Sequence, residues 1–210
     1  MGPPGSGKGT QAQHFVETRG WSHLSTGELF RTNLFQGTAL GTLARSFMDK
    51  GSYVPDEVTI GMVRERLTQI PRATRIIFDG FPRTVPQTAA LTSLLAESGR
   101  RLEAVVLMEV PREQLLSRLG ARVTCAACQT VYSLAVRPPE VRGVCDRCGG
   151  VVAGTTRSDE SPEIILRRLE VYEEQTAPVA SHYDSLGLVR RVDGSGTMSD
   201  VTARLAAAFG

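Results

Sequence analysis

Residues 1–10 read MGPPGSGKGT, and within them Gly2–Lys8 fits the pattern G-x-x-x-x-G-K. The glycines let backbone N–H groups turn inward around a phosphate, and the helix that follows aims its positive end at the same point. Lys8 supplies a mobile charge for the outer phosphates. The Ser or Thr that normally follows the lysine is replaced by Gly9, with Thr10 next. A plain Gly/Pro turn is the competing reading, and the intact lysine with a helix behind it disfavours that. Such a loop normally hangs from the end of a buried β-strand, yet only Met1 precedes it here. MGPPGS also fits an N-myristoylation pattern. The two prolines after Gly2 and the overlap with the phosphate loop make that match a coincidence.

Outward from the loop, helix and strand alternate. Residues 8–19 read as a helix ended by Gly20, and 21–25 as a short extended piece. Ser25 and Glu28 form a capping-box signature at the next helix start. Helical patterns follow at about 39–50 and 56–69. RIIFD (75–79) and AVVLMEV (104–110) are β-rich apolar runs of the kind buried in parallel sheets. Helices near 84–98 and 111–120, a strand at 188–192 and a closing helix at 197–209 complete the series. Strands separated by helices predict an α/β fold: a doubly wound parallel sheet with helices on both faces. Residues 121–158 break the rhythm and read as an insertion with a small fold of its own. A long helix resumes at Pro162 with Ser161 as its N-cap.

Composition bounds the function. At 210 residues and 41% hydrophobic, the chain can bury one sizeable core plus a small module. A net charge of only +2 argues against bulk nucleic acid or an anionic membrane as partner. No apolar run approaches the roughly 18 residues of a membrane span, and no signal peptide is recognisable. The expectation is a cytoplasmic protein whose cysteines are reduced or metal-bound.

Three further features carry chemistry. DGFPRT (79–84) follows an apolar strand, placing Asp79 at the sheet edge where ligands bind in such folds. There Asp79 would hold Mg²⁺ through water, against the plainer role of a turn or cap residue. Cys125, Cys128, Cys145 and Cys148 give C-x₂-C-x₁₆-C-x₂-C. Two such knuckles close a tetrahedral site with no open position, so a structural Zn²⁺ is expected rather than a catalytic one. The competing reading is four unligated buried thiols. Ribbons of this type also bind nucleic acid, but Tyr132 is the only nearby aromatic for stacking. Arg31, Arg83, Arg118, Arg122, Arg157 and Arg168 recur at positions suited to holding phosphates. Arg118 and Arg122 are four apart, so a helix running through both would place them on one face. Singly, each would be a solvated surface residue. His14, His23 and His182 form no pattern and read as structural.

Jointly these motifs resemble adenylate kinase, in the bacterial long form with a zinc-bearing lid, from Gly2 to the C-terminus. GPPGSGKGTQA resembles its phosphate loop, so Gly5, Ser6, Gly7, Lys8, Gly9 and Thr10 would hold ATP. STGELFR and DGFPRTVPQ resemble its AMP site. The likeness assigns AMP contacts to Thr26, Arg31, Gly80, Phe81, Pro82, Arg83 and Gln87, with Ser52, Tyr53 and Val54 contributing backbone. TTRSDE and LRRLEVY match later arginines, so Arg157 and Arg168 would clamp the phosphates between the two nucleotides. Arg118 and Arg122 would act on the ATP side, VDGSG would place Gly196 at the adenine, and Val131 and Tyr132 would meet ATP on lid closure. The resemblance implies a P-loop kinase core (1–24, 55–120 and 159–210), an AMP-binding flap (25–54) and a zinc lid (121–158). It implies ATP + AMP ⇌ 2 ADP with Mg²⁺, in a monomer without nucleic-acid or membrane partners.

The chain departs from the family twice. RLGARVTC keeps Arg122 by its spacing to Cys125, but Val123 and Ala121 replace the usual second arginine and glycine. The family also carries an apolar strand before the loop, in the middle of the sheet. Its loss would strip neighbouring strands of partners, so a start upstream of Met1 is expected, with genuine truncation as the alternative. Two other functions stay open at this level: a kinase for another nucleoside monophosphate, and an inactive zinc-bearing nucleotide binder.

Overall fold

A computed structural model of the chain describes residues 1–153 and 158–210. In chain order the elements are α1 (Lys8–Arg19), β1 (Ser22–Ser25), α2 (Thr26–Phe35), α3 (Ala39–Met48), α4 (Asp56–Thr68), β2 (Ile76–Asp79), α5 (Val85–Glu97), β3 (Val105–Glu109) and α6 (Arg112–Gly120). There follow β4 (Arg122–Cys125), β5 (Val131–Ser133), β6 (Val152–Ala153), α7 (Pro162–Val171), α8 (Ala177–Ser185), β7 (Val189–Asp193) and α9 (Met198–Phe209). The expected elements lie within two residues of these bounds, with one exception. The long helix from Pro162 is broken by a π-turn, Tyr172–Thr176. Pro178 explains the break, because it has no N–H to bond one turn back and its ring crowds that turn.

Local chemistry sets the ends. Gly7 (φ 93°) and Gly20 (φ 65°) bracket α1 in left-handed conformations that a side chain would strain. The Ser25 hydroxyl accepts the Glu28 N–H at 3.4 Å, the cap expected from sequence. Ser161 likewise caps α7 by accepting the Ile164 N–H at 3.3 Å. In the α2–α3 hairpin Gly41 sits directly against the backbone of Asn33 and Leu34, where a Cβ has no room.

The long strands are parallel, as their apolar runs require, but they form two pairs. β1 lies beside β2, with Ser25 opposite Asp79, and β3 lies beside β7, with Leu107 opposite Arg191. Between the pairs only the main chain of Met1 enters. Its α-amino group donates to the Val106 carbonyl, and its own carbonyl accepts the Met108 N–H at 2.9 Å. A cavity of about 610 Å³ separates β2 from β3 beyond that point.

Apolar cores flank the strands. Leu24, Val63, Leu67, Phe81, Leu91 and Leu94 fill one, under α4 and α5. Phe15, Met108, Val192, Val201 and Leu205 fill another, where Phe15 stacks on Trp21 at 5.4 Å and meets Phe209 edge-on at 5.1 Å. A small cluster of Val123, Cys125, Tyr132, Cys145 and Val152 belongs to the insertion, whose strands pair antiparallel in the order β5-β4-β6.

Candidate active site

The phosphate loop wraps around its own lysine. Gly2, Gly5 and Gly7 all have positive φ (140°, 85° and 93°), which turns the loop into a cup closed by the start of α1. Lys8 Nζ donates to the carbonyls of Gly2 (2.6 Å) and Pro3 (2.8 Å) and lies 3.2 Å from Ser6 Oγ. Packed protein around this ammonium pushes it down from 10.5 to about 8; Asp79 pulls it back up, while Arg83, Arg122 and Arg168 push it further down.

Asp79 ends β2 opposite Ser25. His23 Nε2 lies 3.3 Å from Asp79 Oδ2. Burial raises the Asp79 carboxyl, but the His23 bond and the charges of Lys8, His23 and Arg83 outweigh it and hold the group well below the usual carboxylate range. A Cβ on Gly9 would stand 3.4 Å from Asp79 Oδ2, so the aspartate reaches the first turn of α1. The glycine at that position leaves the space between them open. An ionised, partly covered carboxylate beside a phosphate cup is a donor set that fits Mg²⁺ held through water.

A cleft of about 710 Å³ collects most of the expected residues. Gly5, Gly7, Lys8, Gly9, Thr10 and Asp79 line it, together with Arg31, Tyr53, Gly80, Phe81, Pro82 and Arg83. Arg122, Val131, Tyr132 and Arg168 line it as well. The Arg83 guanidinium lies 4.9 Å over the Tyr53 ring and donates from Nε to the Gly80 carbonyl at 2.8 Å. Arg122 pairs with Glu160 at 3.3 Å, and Arg168 with Asp159 at 3.0 Å.

Other expected residues stand behind the cleft. Ser6 is buried under the loop. Thr26 donates its hydroxyl to the Gly80 carbonyl at 2.8 Å. Buried Gln87 accepts the Arg83 N–H at 2.8 Å and donates to Asp56 at 2.6 Å. Val54 is buried in an apolar cluster with Phe30, Ala44 and Met62, and Ser52 bonds its N–H to the Phe47 carbonyl at 3.0 Å. Arg118 donates to the Gly194 carbonyl at 3.0 Å, two residues before Gly196, which has φ 95°. Tyr132 edges the cleft, but its hydroxyl turns inward, 3.3 Å from Cys145 Sγ, and accepts the Asp146 N–H at 2.9 Å. Arg157 lies outside the described residues.

Sequence reading passed over several neighbours. Asp159 and Glu160 stand two and three residues after Arg157 and are buried; the adjacent acidic pair beside an arginine is their one signal in the sequence. Asp56 opens α4 and accepts from both Thr84 (2.8 Å) and Gln87. Thr176, within the π-turn, donates to the Arg83 carbonyl at 2.9 Å and lies 2.8 Å from the Tyr53 hydroxyl. Its link to Arg83 spans 93 residues of chain and has no local signature.

The four cysteine sulfurs all lie within 4.8 Å of one another, a set that suits one metal ion. Their titration points the same way. Burial raises the Cys145 thiol, but the Tyr132 hydroxyl and the N–H groups of Arg147 and Cys148 prevail and bring it to about 6. An N–H from Gly150 favours the Cys148 thiolate, yet its cysteine neighbours drive that thiol up to about 12. Crowded thiols cannot all ionise without a cation, and a dication held by four thiolates resolves the conflict.

A glycine cup around a lysine at a helix start, an ionised aspartate at the neighbouring strand end and converging arginines define an α/β phosphotransferase of the phosphate-loop class. The adenylate kinase family pattern matches residues 1–188. The chain is 47% identical over 205 residues to an adenylate kinase of Carboxydothermus hydrogenoformans, covering 98% of this chain and 95% of that one. It is 45% identical over 205 residues to the Streptomyces griseus adenylate kinase (97% and 93% covered). For the Staphylococcus aureus adenylate kinase the figure is 44% over 202 residues (96% and 93%). The chain belongs to the adenylate kinase family.

Proposed function

We propose that the chain transfers the terminal phosphoryl group of ATP to AMP, reversibly, giving two ADP. The observation that carries this reading is the convergence of Lys8, Asp79, Arg83, Arg122 and Arg168 on one cleft. Phosphoryl transfer proceeds through a loose transition state and needs positioning and charge rather than a protein nucleophile. The loop N–H groups of Gly5, Ser6, Gly7, Gly9 and Thr10 would cradle the donor phosphates, with Lys8 leaving its loop carbonyls to reach the outer ones. Arg118 and Gly196 would border the donor's base. Thr26, Arg31, Gly80, Arg83 and Gln87, with backbone of residues 52–54, would hold AMP, and Thr176 and Asp56 would keep Arg83 and Gln87 in place. Arg122, Arg157 and Arg168 would take up charge between the nucleotides; meanwhile Glu160 holds Arg122 and Asp159 holds Arg168. Asp79 would hold Mg²⁺ through water, and the ion would supply positive charge against the donor phosphates.

In this reading residues 121–158 form a zinc-stabilised lid and 25–54 a flap, which close on the core (1–24, 55–120, 159–210) and exclude water. Val131 stands at the lid's cleft edge and would meet ATP; Tyr132 would act through its backbone and its support of Cys145. One chain supplies the whole cleft, which favours a monomer, and a thiolate metal site suits the reducing cytoplasm. No described helix is long and apolar enough to cross a membrane.

A coupled assay across AMP, GMP, CMP and UMP with ATP and GTP as donors tests the reading. AMP with ATP is expected to be the fastest pair, and higher rates with UMP or CMP would overturn the choice of acceptor. The depressed Lys8 ammonium adds a pH signature. Polyphosphate favours its protonated form, so ATP affinity should be flat below about pH 7 and weaken by about tenfold per unit above pH 8. Binding at pH 8–9 should take up a proton, measurable by calorimetry in buffers of different ionisation enthalpy. The free protein behaves oppositely. Between about 8 and the ordinary 10.5 the unfolded chain holds a proton that the folded one lacks, so this group makes stability rise with pH.

A further inference from the structure

The insertion turns one face of its small sheet toward the cleft. Arg122 stands opposite Ser133 in the antiparallel β4–β5 ladder. On its other edge Ser133 exchanges two backbone bonds with Arg137. The Ser133 N–H donates to the Arg137 carbonyl at 3.1 Å, and the Arg137 N–H donates to the Ser133 carbonyl at 2.8 Å. Directly opposed residues of antiparallel pairs share a face, so Arg122, Ser133 and Arg137 form one row across the sheet. The alternate positions, Val123, Cys125 and Tyr132, are buried in the cysteine cluster on the other face. All three residues of the row line the cleft that contains the phosphate loop. Arg122 also lies close enough to Lys8 to push its ammonium down, so row and loop act on the same space.

The row is unevenly satisfied. Arg122 is held by Glu160 at 3.3 Å. Arg137 is half-buried, and its guanidinium makes no hydrogen bond or ion pair among the described residues. The Ser133 hydroxyl is buried and likewise has no partner among them. Asp146 is the one acidic residue of the insertion lining this cleft among those described, and it accepts the Glu140 N–H at 2.9 Å. An unpartnered cation and an unpartnered hydroxyl side by side are donors without an acceptor.

We propose that Arg137 is a further phosphate-binding residue of this site, gripping the donor's triphosphate together with Arg122 and the Ser133 hydroxyl. The proposal rests on the phosphotransferase reading, in which one triphosphate is met by the phosphate loop and by this row. Arg122 and Arg137 stand two strand spacings apart, about 9–10 Å at the backbone, a gap that two long guanidinium side chains close around one phosphate group. Two cations on one face repel, and a polyanion between them relieves the repulsion.

The test titrates the zinc-loaded protein with ATP, inorganic tripolyphosphate and AMP, alongside initial rates at saturating AMP. Arg137→Gln should weaken ATP and tripolyphosphate by about tenfold or more and raise the KM for ATP in parallel, with AMP affinity within about twofold of wild type. Arg137→Lys keeps the charge and should recover part of the loss. Ser133→Ala removes a buried hydroxyl that has no partner, so the melting midpoint should hold or rise while ATP affinity falls by about threefold. ATP and tripolyphosphate affinities of Arg137→Gln within about twofold of wild type overturn the proposal. So does an equal loss toward AMP, which would make the role of Arg137 structural. A wild-type protein that transfers no phosphoryl group overturns the kinase reading instead, and the tripolyphosphate titration then decides on Arg137 by itself.

Discussion

Replacing Lys8 by Ala is expected to lower turnover by about 10²–10³-fold while leaving the fold and the metal content unchanged. Lys8 is the mobile cation of the loop: its ammonium is held by two carbonyls and lies near one hydroxyl, all of them in its own loop. Those bonds cost little to exchange for phosphate oxygens, and burial disfavours the Lys8 charge. A polyphosphate therefore gains a charge-assisted contact that strengthens as negative charge shifts toward the leaving group. Lys8→Arg should rescue little, because a planar fork does not fit a cup built around a compact ammonium. The check is steady-state and single-turnover kinetics, with circular dichroism and metal analysis alongside. Turnover within about threefold of wild type, with the fold retained, would remove Lys8 from the mechanism.

The second large effect concerns the insertion. Stripping metal with a chelator under reducing conditions, or replacing Cys145 by Ser, should unfold residues 121–153 locally and abolish most activity. The cluster that holds this segment together has five buried members, two of which, Cys125 and Cys145, are candidate ligands. So small a core cannot offset the entropy of ordering its chain, whereas structural zinc in small peptides contributes about 10–16 kcal/mol. Amide exchange should speed up across β4 and β5, while the amides of α1 and α5 keep their protection. Elemental analysis should give about one zinc per chain, by the four-ligand rule. An apo protein with undiminished protection in β4 would show that the thiols pack without metal.

These features differ in how far the sequence reveals them. The phosphate loop, the cysteine knuckles and Ser161-Pro162 are local devices whose chemistry lies in adjacent residues. The break in the helix from Pro162 has Pro178 as its only local mark, and the helical pattern runs on through it. The contact of Tyr132 with ATP on lid closure follows from the family resemblance alone, whereas the bonding of its hydroxyl to Cys145 and Asp146 is set by the packing of a five-residue cluster.

By itself the sequence determined the class of chemistry. A lysine in a glycine cup, an aspartate after an apolar strand and four spaced thiols have few alternative uses, because each depends on bonds made within a few residues. The tertiary structure alone decided which arginines meet which partners. Glu160 faces Arg122, Asp159 faces Arg168, and Thr176 is bonded to Arg83. It also decided how the parallel strands divide about Met1. Ladder pairing and charge pairing depend on distances in space between residues far apart in the chain, and no local pattern encodes them.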